Sequence, residues 1–430
     1  MHDRTRRMLC RAGFLAVCLL PTLGVIAWSS SRTSATHSEA CAAELSRELS
    51  LRVSLAGVSY PQPGNTLYEG VEITDPETAV SLARLRFLNV GAGENLVTLI
   101  ASQPELDALQ LGRLWEAVEQ RLRQSLGPQP TIRLVAREAT LHWPAGSQTL
   151  TDVLGELATK PDTAGERTAT LSFRLAGRDT AEPIRVSYSR TLKQSRPMRR
   201  IELNSANAEI PCSLLVIPLG IQNRLGERAR FRGLILALET PDGWNGELTG
   251  EFKEVDLQAV ISEQFPHQLS GAADIAIQHA RFERGRLIEA RGTIVAGPGV
   301  VSQSLLQAAA QNLQLKGTAT DLDRAIVPYD QLAISFSLDS SGLSLGGLCE
   351  GSKGAIVRRG ETALLAESGA APRPVAALLR TLVPMSELQV PATRESSWLI
   401  EHLPVPSVMP PAGERPRAKL QLAPKGPAPG

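Results

Sequence analysis

Aromatic side chains are scarce, 4% of the 430-residue chain, so any core must be built from Leu, Val, Ile and Ala. An excess of one charge sign is also missing. Lys and Arg number 45 against 44 Asp and Glu, and the net charge of +1 gives no global pull toward nucleic acid. The five cysteines, Cys10, Cys18, Cys41, Cys212 and Cys349, lie far apart and include no CxxC. That spacing excludes a zinc knuckle, a thioredoxin-like pair and a dense disulfide framework, and leaves a single bridge open. HExxH and any histidine cluster are absent, as are GxGxxG or GxxxxGKS/T placed between a strand and a helix. No metal and no cofactor is expected. What remains is a length that supports two or three domains and an ordinary globular balance of 43% hydrophobic and 21% charged residues.

Arg4, Arg6, Arg7 and Arg11 precede the uncharged run Ala12–Trp28, and the polar "SSSRTSATHS" follows it. A short apolar run behind a basic stub reads as an anchor in the inner membrane through residues 12–28, with the remainder exported. Cleavage at the small residues Thr33-Ser34-Ala35 is the alternative. In either case the bulk of the chain is expected on the periplasmic side.

Past residue 38 the pattern is mainly β (α+β). Alternating segments such as "LYEGVEIT", "TIRLVAREATLHW", "RTATLSFRLAG" and "LSGAADIAIQHARFERGRLIEARGTIVAG" are separated by Gly, Pro and Asp turns. Glycines inside strands fit bends in a curved antiparallel sheet. A few short amphipathic helices interrupt it. In "PELDALQLGRLWEAVEQRLRQ", Leu111, Leu114, Trp115, Val118 and Leu122 share one face, and Pro104 stands near the start. "TLTDVLGELAT" reads as one or two helical turns, Asp256 caps "LQAVISEQF", and Ser302 caps "QSLLQAAAQNL". The division expected is 1–28 stub and anchor, 29–38 linker, 39–127 strands plus helix and 128–240 antiparallel strands. A β region with short helices follows at 241–370, then a helical segment at 371–408 and a disordered tail at 409–430.

Chemistry-bearing motifs are few. "GLSLG", Gly342–Gly346, fits the nucleophile-elbow pattern, with Glu361 and His402 in triad order. The elbow needs a strand, a sharp turn and a helix after the serine, whereas Leu343, Leu345 and Leu348 continue a strand. A non-catalytic chain is therefore expected, with the serine hydrolase as a remote alternative. The densest basic cluster, Arg190, Lys193, Arg196, Arg199 and Arg200, falls between two strands. It reads either as a solvated hairpin loop or as a contact for anionic lipid headgroups. Aromatics are not interleaved there, so single-stranded nucleic acid is not an expected partner.

The stretch "GWNGELTGEFKEVDLQAVISEQFPHQLSGAADIAI" through "GRLIEARGTIVAGPGVVSQSLL" resembles the AsmA-like family of envelope proteins. The resemblance is carried by Gly250, Asp256, Leu257, Leu269, Gly271, Gly292, Gly299, Ser302, Leu305 and Leu306. It covers about half of the chain. It implies a long curved sheet forming a groove or taco-like shape with an apolar interior, linked to lipid movement and membrane homeostasis. The expected partners are membrane lipids and other envelope proteins. An exported β-rich scaffold with a sealed core is the competing expectation.

Overall fold

A computed structural model describes residues 8, 11–32, 34–124, 130–143, 146–159, 166–177, 182–193, 196–212, 225–240, 242–263, 265–317, 325–369 and 371–383. The first element, α1 (Arg11–Arg32), is one helix long and apolar enough to cross a membrane by length and composition. At 22 residues it spans roughly 33 Å, matching a hydrocarbon core of about 30 Å. Apart from Ser34, the described residues of the expected linker at 29–38 are helical. α1 runs on to Arg32, and α2 (Ala35–Leu49) starts on Ser34, whose hydroxyl accepts from the His37 N–H. Ser34 is an N-cap, which is why a polar run reading as a linker also opens a helix. The Arg32 guanidinium lies 4.5 Å from the Trp28 ring centre and 4.9 Å from that of Tyr60, tying the end of α1 to the sheet.

Among the described residues, 21 strands join one sheet, and the protein is mainly β as expected. Strand order follows the chain almost throughout. The strands β1 (Arg52–Ser54) and β2 (Gly57–Gln62) lie end to end along one edge of β3 (Asn65–Thr74), whose other edge pairs with β4 (Ser81–Ala92). Next come β5 (Leu96–Ser102) and β6 (Glu105–Asp107), then β7 (Thr131–Trp143) through β11 (Arg196–Asn204) by way of β8 (Gly146–Thr159), β9 (Arg167–Leu175) and β10 (Ile184–Lys193). The short β12 (Ile210–Pro211) lies beside β13 (Arg230–Thr240). The meander continues with β14 (Gly243–Asp256), β15 (Ala272–Glu283) and β16 (Arg286–Ala296). A separate pair is formed by β17 (Gly299–Ser302) and β19 (Ile326–Tyr329), and the two-residue β18 (Lys316–Gly317) closes the far edge on β23 (Thr362–Ala366). Between them stand β20 (Gln331–Asp339), β21 (Gly342–Gly347) and β22 (Ala355–Arg359). β6 pairs with β7, and β13 with β14, across the positions where the sequence suggested boundaries.

The sheet is antiparallel except at one place. β5 and β6 both run parallel to β7 in a single register, Leu96 opposite Thr131 and Glu105 opposite Thr140. Parallel neighbours need a crossover, and the amphipathic helix α3 (Leu111–Gln124) supplies it. Pro104 therefore precedes a strand, β6, rather than opening the helix.

"TLTDVLGELAT" lies within β8, not in a helix. Leu150 and Val153 are both buried although three residues apart, a spacing that mimics a helix. Asp152 between them adopts φ 52° and the pairing with β9 slips there by one residue, so the bulge resets the alternation. The same device recurs at Glu254 (φ 53°), between buried Phe252 and Val255. "LQAVISEQF" forms only a π-type turn, Gln258–Ser262, entered where the Asp256 carboxylate accepts from the Gln258 N–H at 2.9 Å. The helix expected after Ser302 is α4 (Gln303–Asn312), with the Ser302 hydroxyl accepting from Leu305 N–H. Of the C-terminal helical segment, α5 (Val375–Leu382) is described. "SWLIEHL" and the tail lie outside the described residues.

Gly233 and Gly250 face each other across β13 and β14 at φ 152° and 154°. A Cβ on Gly233 would stand 2.2 Å from the Thr249 carbonyl oxygen, and one on Gly250 2.3 Å from that of Arg232. The strands close on each other there only because neither residue has a side chain. Gly250→Ala is expected to lower the urea midpoint by an amount equivalent to about 2 kcal/mol, since it combines backbone strain with a steric overlap. A midpoint equal to the wild-type value would contradict this reading of the pinch.

Candidate functional site

Pairing registers trace one row straight across the sheet. From β4 to β21 it reads Val90, Leu99, Leu134, Gly155, Leu171, Val186, Leu203, Ile235, Leu248, Ala280, Ala290, Leu338 and Leu343. Every position is apolar or glycine, so one face is apolar across thirteen strands. The opposite face carries cross-strand ion pairs, Arg133 with Glu156 at 3.3 Å and Arg232 with Glu251 at 2.6 Å. An apolar sheet face must be covered by something. In the C-terminal half the cover is protein: Ala309, Leu313, Val375 and Ala377 of α4 and α5 and the segment after α4 pack into one buried cluster with Ala290, Leu332, Leu338 and Leu343. In the N-terminal half a second cluster fills the end of the face marked by Phe173, Ile184, Phe231 and Phe252. Toward the β4 edge of the row Val90, Leu99, Leu134 and Val186 are only half-buried, Leu134 and Val186 against this second cluster, and Leu171 is 37% exposed.

Helix α3 lies over this same face. Leu122 is buried with Tyr188 and Ile201, while Trp115 packs edge-on to the Tyr188 ring at 5.0 Å. Beyond Tyr188 the inner face ends in a second cross-strand row: Arg167, Arg190, Arg199, Glu239 and Trp244. Three guanidinium groups on adjacent strands repel one another, and α3 supplies what offsets them. Arg167 and Arg190 both donate to the Leu122 carbonyl, at 2.9 and 3.2 Å, in the last turn where helical carbonyls lack partners. Arg199 donates to Glu119 of α3 and in bidentate fashion to Glu239, one of those bonds being 2.6 Å, and stands over the Trp244 ring at 5.7 Å. Tyr188 Oη donates to Glu119 at 3.4 Å. The Glu239 and Glu119 hydrogen bonds hold the Arg199 guanidinium firmly protonated. Burial, and then the charge of Arg190, push Arg167 below the usual arginine range.

The basic cluster singled out from sequence is thus divided. Arg190 and Arg199 turn inward onto α3, and Arg200, on the opposite face, pairs with Glu202 at 3.2 Å. Lys193 and Arg196 sit in register at the end of the β10–β11 hairpin. Arg167, Glu119 and Glu239 belong to the arrangement and were missed, because the row exists only once three strands and a crossover helix are aligned. Val118, expected on the packing face of α3, is 37% exposed. Glu119 turns inward in its place, since its carboxylate has Arg199 and Tyr188 to bind.

"GLSLG" forms β21, with exposed Ser344 opposite Ser337 of β20 and no helix following. The strand–turn–helix of an elbow is not formed there. Glu361 lies in an exposed turn and His402 outside the described residues. Among the described residues no group of three His, Cys, Asp or Glu is placed to hold a metal. Cys18, Cys41, Cys212 and Cys349 are free thiols, and burial pushes Cys212 up to about 12, which leaves it protonated and unreactive at neutral pH. His267 is buried, with Nδ1 3.0 Å from the Ser304 hydroxyl at the start of α4. Burial pushes its imidazole below the ordinary range.

No protein-family model matches the chain, and neither curated proteins nor solved structures give a match.

Two outcomes follow from this geometry. Arg199→Ala removes the guanidinium that Glu119 and Glu239 share and is expected to cost about 2 kcal/mol of stability. Amide exchange in residues 115–122 should rise above that elsewhere in the sheet, and wild-type protection of those amides would contradict the latch. For His267, the unfolded imidazole binds a proton near pH 6.5, whereas the buried one resists it to lower pH. Stability should therefore fall as pH drops below about 6.5, and His267→Gln should flatten that slope. An equal slope in the variant would remove His267 from the account.

Proposed function

We propose that the protein is a membrane-anchored, non-catalytic lipid-binding protein of the AsmA-like type, holding acyl chains against the apolar face of its sheet. The observation that carries this reading is the half-exposed strip Val90, Leu99, Leu134, Leu171 and Val186, which lies within an otherwise covered apolar row. From β4 to β10 it crosses six strands, about 24 Å at the usual strand spacing, enough to lie along an extended acyl chain. Each methylene taken out of water there contributes on the order of 0.8 kcal/mol. A helix fit to cross a membrane precedes the sheet, which suits a lipid source close by. In this reading α1 sits in the inner membrane with its basic end in the cytoplasm. The sheet then lies in the periplasm, where it supports membrane homeostasis alone or with other envelope proteins. Because α4 and α5 pack the C-terminal half with protein, the lipid is confined to the N-terminal half. An envelope scaffold with a wholly sealed core is the second reading, favoured by that same filled half.

The test is native mass spectrometry of the full-length protein released from mild detergent, beside Leu171→Asp. The wild type should retain phospholipid and the variant should lose most of it while keeping its β-sheet circular dichroism. Identical lipid content in the two proteins, or none in either, would contradict the proposal and favour the scaffold.

A further inference from the structure

We propose that Arg167, Arg190 and Arg199 form a headgroup site for an anionic phospholipid, and that α3 is the internal occupant which such a lipid displaces. The inference rests on the lipid-binding reading and names its ligand class and its gate.

Three arginines in register on neighbouring strands are a poor choice for a sheet that only needs to fold, because like charges directly opposite one another are destabilising. Part of their compensation comes from Glu239 and part from a helix that brings an apolar face and hydrogen-bond acceptors to the row. Trp115 and Leu122 pack against Tyr188 and Ile201, and the acceptors turned to the arginines are the Glu119 carboxylate and the Leu122 carbonyl. A phospholipid brings both kinds of contact, an oily body and a phosphate. The phosphate's oxygens accept from guanidinium groups in the paired geometry that Glu239 already shows with Arg199.

The placement fits as well. Arg167 and Leu171 are four residues apart on β9, and Arg190 and Val186 four apart on β10, all on the inner face. That distance is about 13 Å along a strand. A headgroup on the arginine row would therefore lay its acyl chains over Tyr188 and onto the half-exposed strip. Charge favours the exchange. With Glu119 and the helix end removed, the row keeps three guanidinium groups beside Glu239, and a phosphate restores the balance. A neutral headgroup brings no net charge to that row.

The experiment titrates the full-length protein in mild detergent with phosphatidylglycerol and, separately, with phosphatidylcholine of the same chains. Bound lipid is read by native mass spectrometry and the state of α3 by amide exchange in residues 111–122. Phosphatidylglycerol should bind about tenfold more tightly, the scale of one charge-assisted hydrogen bond, and should raise exchange in α3. Glu119→Gln, which weakens the internal occupant and keeps all three arginines, should tighten phosphatidylglycerol binding further. Arg190→Gln with Arg199→Gln should bring it down to the phosphatidylcholine level. Equal affinity for the two lipids, or no gain in Glu119→Gln, overturns the headgroup site while lipid binding itself stands. Binding of neither lipid overturns both readings.

Discussion

An open sheet with one apolar face cannot leave that face to water, and the rest of this molecule follows from how the face is covered. Thirteen strands contribute to one uninterrupted apolar row. The chain covers it piecewise: α4 and α5 over the C-terminal half, packed side chains at one end of the N-terminal half, and α3 over the other. The half-exposed strip from Val90 to Val186 is what those covers leave toward the β4 edge of the row.

The covers differ in kind. α4 and α5 are held by apolar burial, a non-directional force that releases only on unfolding. α3 has a smaller apolar contact and is aligned by ionic and carbonyl bonds to Arg167, Arg190 and Arg199. Such bonds can be exchanged for those of another anion with little net change in free energy, which burial cannot. On the proposed lipid-binding reading, that difference is what would make α3 the displaceable cover beside the strip.

Much of this was legible in the sequence, and the failures share a cause. The alternation, the glycine-bearing strands, the apolar N-terminal helix and the amphipathic helix at 111–124 are local patterns, and each was found. The helical reading of "TLTDVLGELAT" failed because a bulge at Asp152 places Leu150 and Val153 on one face at a spacing that also suits a helix. Val118 was assigned inward on hydrophobicity alone, and Glu119 was given no place. Arg199 and Tyr188, 80 and 69 residues away from Glu119, reverse the assignment. The basic run 190–200 read as one patch, yet alternation sends Arg199 to the inner face and Arg200 to the outer. Register across several strands decides these cases, and a single segment does not carry it.

The most direct measurement of the central claim compares two exposed leucines on opposite faces of the sheet. Leu171 is 37% exposed on the apolar face and Leu154 is 41% exposed on the other. A photocrosslinking amino acid placed at either position in the full-length protein within its membrane reports what each face touches. The account predicts phospholipid adducts from position 171 and few or none from position 154. Equal lipid adducts from both, or none from 171, would contradict it.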